Sequence, residues 1–424
     1  MTFQLNPEQE DTLVSLSNFD DAYVLKGYAG TGKTTVITRW VEQIRKKPND
    51  WPEGKFFRVP KIVLTAPTNK AVGVLKDFAR EIRLPVDTST IHSLLSLKMK
   101  WDKAEQVLVK DERGDDTFGE YDYVVVDECS MLDTELMGYI RDALDQHNNK
   151  IVFMGDPCQL PPIGEPESKS FNESEDKSEL VQVMRQTGKN PIPKLALYLR
   201  EIILEGPHHY PNKIFQFVDD KHIMHWPLST YEDEILEEFV GDVQDIRHVA
   251  WTNRVVNLWN DKIRDRIYGF DREEWTQGER IVTTAPVIDR AESRIVFTTD
   301  TLLTIQREPE LTEHLGVPCW LLWCRNARIL VPTKDSSKAF NEKKNELLRE
   351  AKQDRKLWWK FYEFMESFAY VKPAHSLTVH RSQGSTFDDV YVSYQNILAN
   401  PNRRESLQCL YVAITRPRSR LILV

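Results

Sequence analysis

The run Gly27-Tyr28-Ala29-Gly30-Thr31-Gly32-Lys33-Thr34-Thr35 has the residue types and spacing to hold a polyphosphate. From Gly27 to Thr34 it fits the pattern G-x-x-x-x-G-K-[ST]. Glycines let the backbone wrap phosphate closely, and the helix that follows adds the positive end of its dipole. Lys33 is placed to reach the β- and γ-phosphates of ATP, and Thr34 to ligate Mg²⁺. A second pair of chemical groups, Asp127-Glu128, ends the β-branched run Tyr123-Val124-Val125-Val126. There Asp127 would hold the Mg²⁺ shell, and Glu128 would orient and deprotonate an attacking water. Alone an Asp-Glu pair says little; beside the phosphate loop it is specific. Gln159, in Gly155-Asp156-Pro157-Cys158-Gln159-Leu160-Pro161-Pro162, has two readings. Either it senses the γ-phosphate through the attacking water, or it belongs to a plain proline-rich turn.

These groups need elements to hold them. Ala22-Tyr23-Val24-Leu25 reads as a buried strand, and Val36 to Val41 has helical apolar spacing. Ile62-Val63-Leu64, Tyr123–Val126 and Ile151-Val152-Phe153-Met154 read as further strands. Four strands with intervening helices predict a parallel α/β sheet with its ligand edge at the strand C-termini.

At 424 residues the chain exceeds a single core, so two to four domains are expected. No apolar run approaches the roughly 20 residues that span a bilayer, and the N-terminus lacks a basic stretch followed by an apolar one. Five scattered cysteines make no disulfide framework. Cys319 and Cys324, five apart in a strand-like run, would face opposite sides and read as core thiols. A soluble, intracellular, cytoplasmic protein with no membrane partner is expected. The net charge of −9 argues against a nucleic-acid partner only at first sight, because a local basic groove is what binds phosphates. Much of the acid lies in 111–116 and 165–179, which read as solvated, mobile segments.

Together these segments resemble superfamily 1 helicases of the RecD/Dda-like 5′→3′ branch, over nearly the whole chain and in the expected order. Asn6-Pro7-Glu8-Gln9 looks like the adenine-reading element, with Gln9 on the base. Gly27–Thr35 resembles motif I, Thr65–Lys70 motif Ia, and Ser89–Leu95 motif Ib. Asp127–Met131 resembles motif II, Gly155–Pro162 motif III, and Val183-Met184-Arg185-Gln186 motif IV, with Arg185 a phosphate-sensing arginine. Ala250–Arg254 looks like the start of a second motor domain. Ala374–Phe387 resembles motif V and Leu410–Arg418 motif VI.

The resemblance implies a fold of two RecA-like lobes with ATP between them. Gly30, Thr31, Gly32, Lys33, Thr34, Thr35, Gln383 and Gly384 would contact the nucleotide, and Arg416 would be an arginine finger. Thr65, Pro67, Thr68, Thr90, His92, Pro161, Trp251, Thr378 and His380 would grip single-stranded DNA through phosphates and base faces. For each His a hydrogen-bonded structural role stands equally open. The implied division places the first RecA-like domain at 1–95 and 121–179, and the second at 180–275 and 370–424. A hairpin pin insertion spans 96–120. An SH3-like barrel with a helical tower spans 276–369, with one long helical stretch from about Ser336 to Phe368. Trp101 would be either the strand-splitting wedge or a residue packed at the hairpin base.

The implied activity is ATP-dependent 5′→3′ DNA unwinding by a monomer, on single strands and at single–double-strand junctions. Replication, repair or recombination is its setting, with proteins of those pathways as partners. An RNA helicase is the rival within the class, since no quoted residue reports on the 2′-hydroxyl. A nucleotide-gated strand-binding ATPase without processive movement is the rival outside it.

Overall fold

A computed structural model describes residues 5–46, 56–102, 105–111, 117–183, 190–206, 210–241, 245–289 and 294–424, with the backbone alone for residues 100–102 and 105–106. The first lobe begins with helix α1 (Pro7–Leu16). Its start is set by a capping box, in which Asn6 and Gln9 bond each other's backbone amides. Strand β1 (Ala22–Gly27) leads through the glycine loop into α2 (Lys33–Ile44), whose Val36, Ile37, Trp40 and Val41 are buried. Then follow β2 (Ile62–Ala66), α3 (Asn69–Glu81), β3 (Asp87–Thr90) and the single turn α4 (Ile91–Leu94). An antiparallel ribbon, β4 (Leu97–Asp102) and β5 (Glu105–Lys110), interrupts the lobe. The lobe resumes with β6 (Tyr123–Val126), α5 (Thr134–Gln146), β7 (Lys150–Gly155) and β8 (Lys177–Leu180).

Among the described residues six strands, not four, make the sheet, in order β3-β2-β6-β7-β1-β8 and all parallel. The near-continuous apolar runs of the four central strands β2, β6, β7 and β1 suit a sheet covered on both faces, while the edge strands β3 and β8 are polar. The edge strand β8 corrects the expectation of a mobile acidic loop at 165–179. Ser168 and Ser170 are buried and donate to the carbonyls of Leu132 and Cys129 at 2.7 and 2.9 Å. Phe171 is buried beside them, and Arg141 grips Glu173 through two hydrogen bonds. The acids of this segment face outward while its serines and phenylalanine anchor it.

The second lobe contributes α6 (Ile192–Glu205), β9 (Ile223–His225), α7 (Leu228–Glu238), β10 (Ile246–Ala250) and α8 (Asn253–Tyr268). An inserted unit follows: β11 (Arg280–Thr283), β12 (Val287–Asp289), β13 (Arg294–Phe297), β14 (Leu302–Thr304), β15 (Glu310–His314), β16 (Val317–Cys324) and β17 (Ala327–Pro332). Helices α9 (Ser337–Gln353) and α10 (Trp358–Glu366) complete it, and β18 (Val371–Pro373) pairs back onto β11. The expected single helical stretch is two helices. Asp354 takes an extended conformation (φ −128°, ψ 111°) and its side chain caps the turn at Lys356, ending one helix and starting another.

Strand β16 is the wall between two cores. Val317 and Cys319 pack with Leu347, Phe361 and Phe364 of the helical pair, whereas Leu322 and Cys324 pack with Ile281, Leu303 and Ile329 of the strands. The period-two alternation of a strand explains why both cysteines are buried on opposite faces. The chain then returns through β19 (Ser376–Thr378), α11 (Val379–Ser382), β20 (Phe387–Val392), α12 (Tyr394–Leu398), α13 (Arg403–Ile414) and β21 (Pro417–Leu423). These complete a second all-parallel sheet, β19-β10-β20-β21-β9. Two RecA-like lobes therefore stand side by side, and one apolar cluster joins them. Tyr28, Cys158 and Leu160 of the first lobe pack with Leu199, Leu410 and Tyr411 of the second. Among the described residues no helix is long and apolar enough to cross a membrane.

Candidate functional site

The glycine loop turns between β1 and α2 with Gly30 and Gly32 at φ 83° and 85°, the left-handed region that L side chains rarely enter. A Cβ on Gly32 would lie 2.5 Å from Gln9 Nε2, and one on Gly27 would lie 2.9 Å from Lys33 Cγ. Small residues are thus required for the loop to close on itself. Lys33 and Thr34 open α2, where unpaired amides and the helix dipole favour an anion. The Lys33 ammonium rests on the carbonyl of Gly27 at 2.6 Å and reaches that of Tyr28 at 3.4 Å. Thr31 is buried, its hydroxyl donating to Tyr28 O. Thr34 and Thr35 stand half-buried beside it. Gln9 is buried against the loop, donating to Thr31 O at 2.9 Å while its amide oxygen accepts from Asn6 N.

Asp127 and Glu128 follow β6 at the same sheet edge. Asp127 Oδ1 accepts from Glu128 N at 2.8 Å. Burial pushes both carboxyls up; the Lys33 charge opposes this at Asp127, while the Asp127 charge adds to it at Glu128. Glu128 has φ 53°, a left-handed conformation that stores about 1–3 kcal/mol of strain in a residue with a Cβ and clusters at functional sites. The glycine cradle, the lysine, the Thr34 hydroxyl and two adjacent carboxylates fit a nucleotide triphosphate with a divalent cation.

The second lobe meets this edge through the turn after β7. Gln383 Nε2 lies 3.3 Å from both Gln159 Oε1 and Leu160 O, and Gln408 donates to Gln159 O at 2.9 Å. Arg416 is buried. It donates to Val412 O at 2.9 Å, Ser385 O at 3.1 Å and Thr415 Oγ1 at 2.9 Å, all in its own lobe. Across the cleft its strongest opposite charge is Glu128, with Asp156 adding to it. Gly384 packs on the start of α3, its Cβ position 3.5 Å from Thr68 Oγ1. Arg185 lies outside the described residues.

The residues expected to grip a strand line the C-terminal edges of both sheets. Thr68, Thr90 and Thr378 each cap a helix start, accepting from the amides of Ala71, Ser93 and Arg381. Thr252 repeats the device at α8, beside the half-buried Trp251. Pro67, His92, Pro161 and His380 are partly exposed. His92 is bonded to the backbone of Pro67, and burial lowers its pKa. His380 Nε2 lies 3.6 Å from Glu405. Thr65 is a correction: it is fully buried and its hydroxyl donates to Val125 O within the sheet, so it offers no surface to a strand. Trp101 sits in β4 opposite Gln106, near the ribbon tip; its side chain lies outside the described residues.

Sequence reasoning missed three groups. Asp156 is fully buried and takes hydrogen bonds from Ala29 N, Cys158 N and the Tyr411 phenol. Tyr28, in the phosphate loop, donates to Glu179 and stacks under the Arg200 guanidinium, 3.8 Å from its ring centroid. Asp300 of the inserted unit receives Arg381 and lies 4.0 Å from Lys70, so one carboxylate touches three parts of the molecule. Their partners are distant in sequence, and no local pattern marks them.

A loop that cradles phosphate, acids at an adjacent strand end and an arginine from a second parallel sheet define a two-lobed nucleotide-driven motor. An AAA domain model matches residues 4–205 and a UvrD-like helicase C-terminal domain model matches 373–424. The ATP-dependent DNA helicase dda of Enterobacteria phage T4 is 25% identical over 93% of this chain and 92% of its own. The RecBCD enzyme subunit RecD of Mycolicibacterium smegmatis is 21% identical over 95% of this chain and 68% of its own. The fold is also that of Pif1 helicase from Bacteroides, solved in complex with ADP-AlF3 and ssDNA. That structure has a TM-score of 0.52 and 13% identity, covering 100% of this chain and 92% of that one. The two domain models and the likeness to Dda and RecD along the chain support a superfamily 1B helicase of the RecD/Dda-like branch, an ATP-driven enzyme.

Proposed function

We propose that this chain is an ATP-driven DNA helicase that moves 5′→3′ along a single strand and separates the duplex at a junction. The observation that carries it is the seam at the turn after β7. There Gln383, Gln408 and Tyr411 of the second lobe grip Asp156, Gln159 and Leu160 beside Lys33 and Glu128. A nucleotide placed there touches both lobes, so binding favours closure and hydrolysis removes the bridge. In this reading Thr34 and Asp127 hold Mg²⁺, which supplies positive charge to the phosphate oxygens. Glu128, its carboxyl made more basic by burial, orients and deprotonates water. Arg416 leaves its carbonyl contacts to meet charge developing on the phosphoryl group, Gln159 and Arg185 sense the γ-phosphate, and Gln9 reads the base.

Helix starts at Thr68 and Thr90 in one lobe, and at Thr252 and Thr378 in the other, give each lobe its own set of backbone amides for strand phosphates. Pro67, His92, Pro161, Trp251 and His380 supply faces for bases. Two grips whose separation changes with closure produce steps. The β4–β5 ribbon acts as the pin, with Trp101 near its tip, and β11–β18 with α9 and α10 as the barrel and tower. The domain limits follow the sheets, with the first lobe running through Leu180. The protein works as a soluble, cytoplasmic monomer in replication, repair or recombination. DNA over RNA rests on similarity to Dda, which is itself an ATP-dependent DNA helicase, and the direction on the motif pattern of the RecD/Dda-like branch.

The test is ATP-driven unwinding of two partial DNA duplexes, one with a 5′ tail and one with a 3′ tail. Unwinding of the 5′-tailed duplex alone is expected. Unwinding from the 3′ tail alone overturns the direction, and ATPase stimulated by RNA without DNA unwinding moves the chain to the RNA reading.

A further inference from the structure

The second lobe carries a tyrosine that no phosphate chemistry requires. Tyr411 lies on α13, five residues before Arg416, and is 1% exposed. Its phenol donates to Asp156 Oδ2 at 2.7 Å, across the lobe boundary. The same carboxylate oxygen accepts from Ala29 N of the phosphate loop at 3.1 Å, and Ala29 N lies 3.3 Å from the phenol oxygen itself. The other oxygen, Oδ1, accepts from Cys158 N at 2.9 Å in the turn that also carries Gln159. One fully buried carboxylate thus ties together the phosphate loop, the turn that carries Gln159 and the helix that ends two residues before Arg416.

A buried carboxylate is costly unless its lone pairs are satisfied, and here three donors from two lobes satisfy it. The ring of Tyr411 packs in the apolar cluster that joins the lobes, so its position would be held by packing alone. The hydroxyl adds a directional bond to a charged acceptor, the strong kind.

We infer that Tyr411 is a positioning residue for hydrolysis: through Asp156 it sets the distance from the phosphate loop to the end of α13, and so aims Arg416 at the transferring phosphoryl group. This deepens, and rests on, the reading of the chain as an ATP-driven motor. Tyr411 touches no reacting atom. Losing its hydroxyl leaves ATP bound by the loop but lets the arginine helix settle at the wrong height. The effect therefore falls on turnover and not on nucleotide affinity.

Tyr411→Phe keeps the ring and its packing and removes only the hydroxyl. In steady-state ATPase assays with single-stranded DNA, kcat should fall by about tenfold or more, the scale of one hydrogen bond to a charged group, while KM for ATP changes by less than about twofold. ADP should bind as in the unmodified chain, and ADP with aluminium fluoride should bind more weakly by a factor similar to the loss in kcat. Asp156→Asn, which sets an amide N–H against one of the three donors that meet the carboxylate, should lower kcat as well, and the double variant should be no worse than the poorer single one, because both act through the same contact. Unchanged kcat in Tyr411→Phe overturns the inference. So does a loss that is additive in the double variant, or one that tracks a lowered melting temperature with ADP and aluminium-fluoride binding weakened alike. If the unmodified chain itself shows no DNA-stimulated ATPase, the motor reading fails and the inference falls with it. When the unmodified chain is fully active, a failure in the variants counts against the role of Tyr411 alone.

Discussion

At the scale of single residues, the site is a balance of buried charge. Glu128 stands in a strained left-handed conformation beside Asp127, with Lys33 and Arg416 as its opposing charges. Glu128→Gln and Lys33→Ala should each abolish turnover while circular dichroism and the melting profile stay near those of the unmodified chain. Hydrolysis at near the original rate in either variant would overturn the assignment. Arg416→Ala should slow single-turnover hydrolysis by about 10³-fold or more, the range for arginine fingers, with a much smaller loss in ATP affinity by equilibrium titration. The phosphate loop and the Asp-Glu pair are legible in the sequence because their chemistry needs adjacent residues at fixed spacing. Asp156 is not, since its meaning comes from Tyr411, which lies 255 positions away. Thr65 misleads for a related reason. A threonine near the end of a strand looks the same whether its hydroxyl meets a strand phosphate or, as here, the carbonyl of Val125 in the neighbouring strand.

At the scale of elements, β10 carries a buried acid sensor. His248 bridges Ser376 and Ser393 through its two ring nitrogens at 2.7 and 2.9 Å and stacks on Trp259. His375, one strand across, accepts the amide of His248 at its carbonyl. Burial drives both imidazoles down to about 3. Each titrates near 6.5 when unfolded, so the unfolded chain takes up the protons first. Stability is therefore complete above that pH and falls as pH drops towards the folded value. At pH 5 the loss is about 2 kcal/mol per imidazole. Urea midpoints compared at pH 7.5 and pH 5 should show this, and His248→Asn should flatten the dependence; an equally steep fall in the variant would sink the explanation. Neither histidine stands out in the sequence, because burial is a property of the assembled sheet. The segment at 165–179 misleads for the converse reason: its many acids describe the face turned to water, whereas Ser168, Ser170 and Phe171 decide where it sits. The four central strands of the first sheet are easy, their apolar runs needing no context, whereas the polar edge strands β3 and β8 carry no such run, and the break at Asp354 is hard, since helical spacing continues on both sides of it.

At the scale of the whole molecule, the two lobes share an apolar seam in which Leu160 of the first packs among Leu199, Leu410 and Tyr411 of the second. Leu160→Ala should leave a cavity there and destabilise the chain by about 2–5 kcal/mol, as truncations of buried leucine do. Calorimetry should show that loss chiefly as a separation of one unfolding transition into two; a single transition merely shifted down would mean that Leu160 is not what couples the lobes. The wall formed by β16 has a different consequence. It is packed on both faces, by the strands on one side and by α9 and α10 on the other. Close-packed interiors transmit displacement and do not absorb it, so the inserted unit behaves as one stiff lever and not as a hinged pair. Its fulcrum is at Asp300, clamped by Arg381 and standing 4.0 Å from Lys70 of the first lobe. A push on the far end of the lever reaches the lobes at Arg381, which grips the Asp300 carboxylate and the Thr283 carbonyl together.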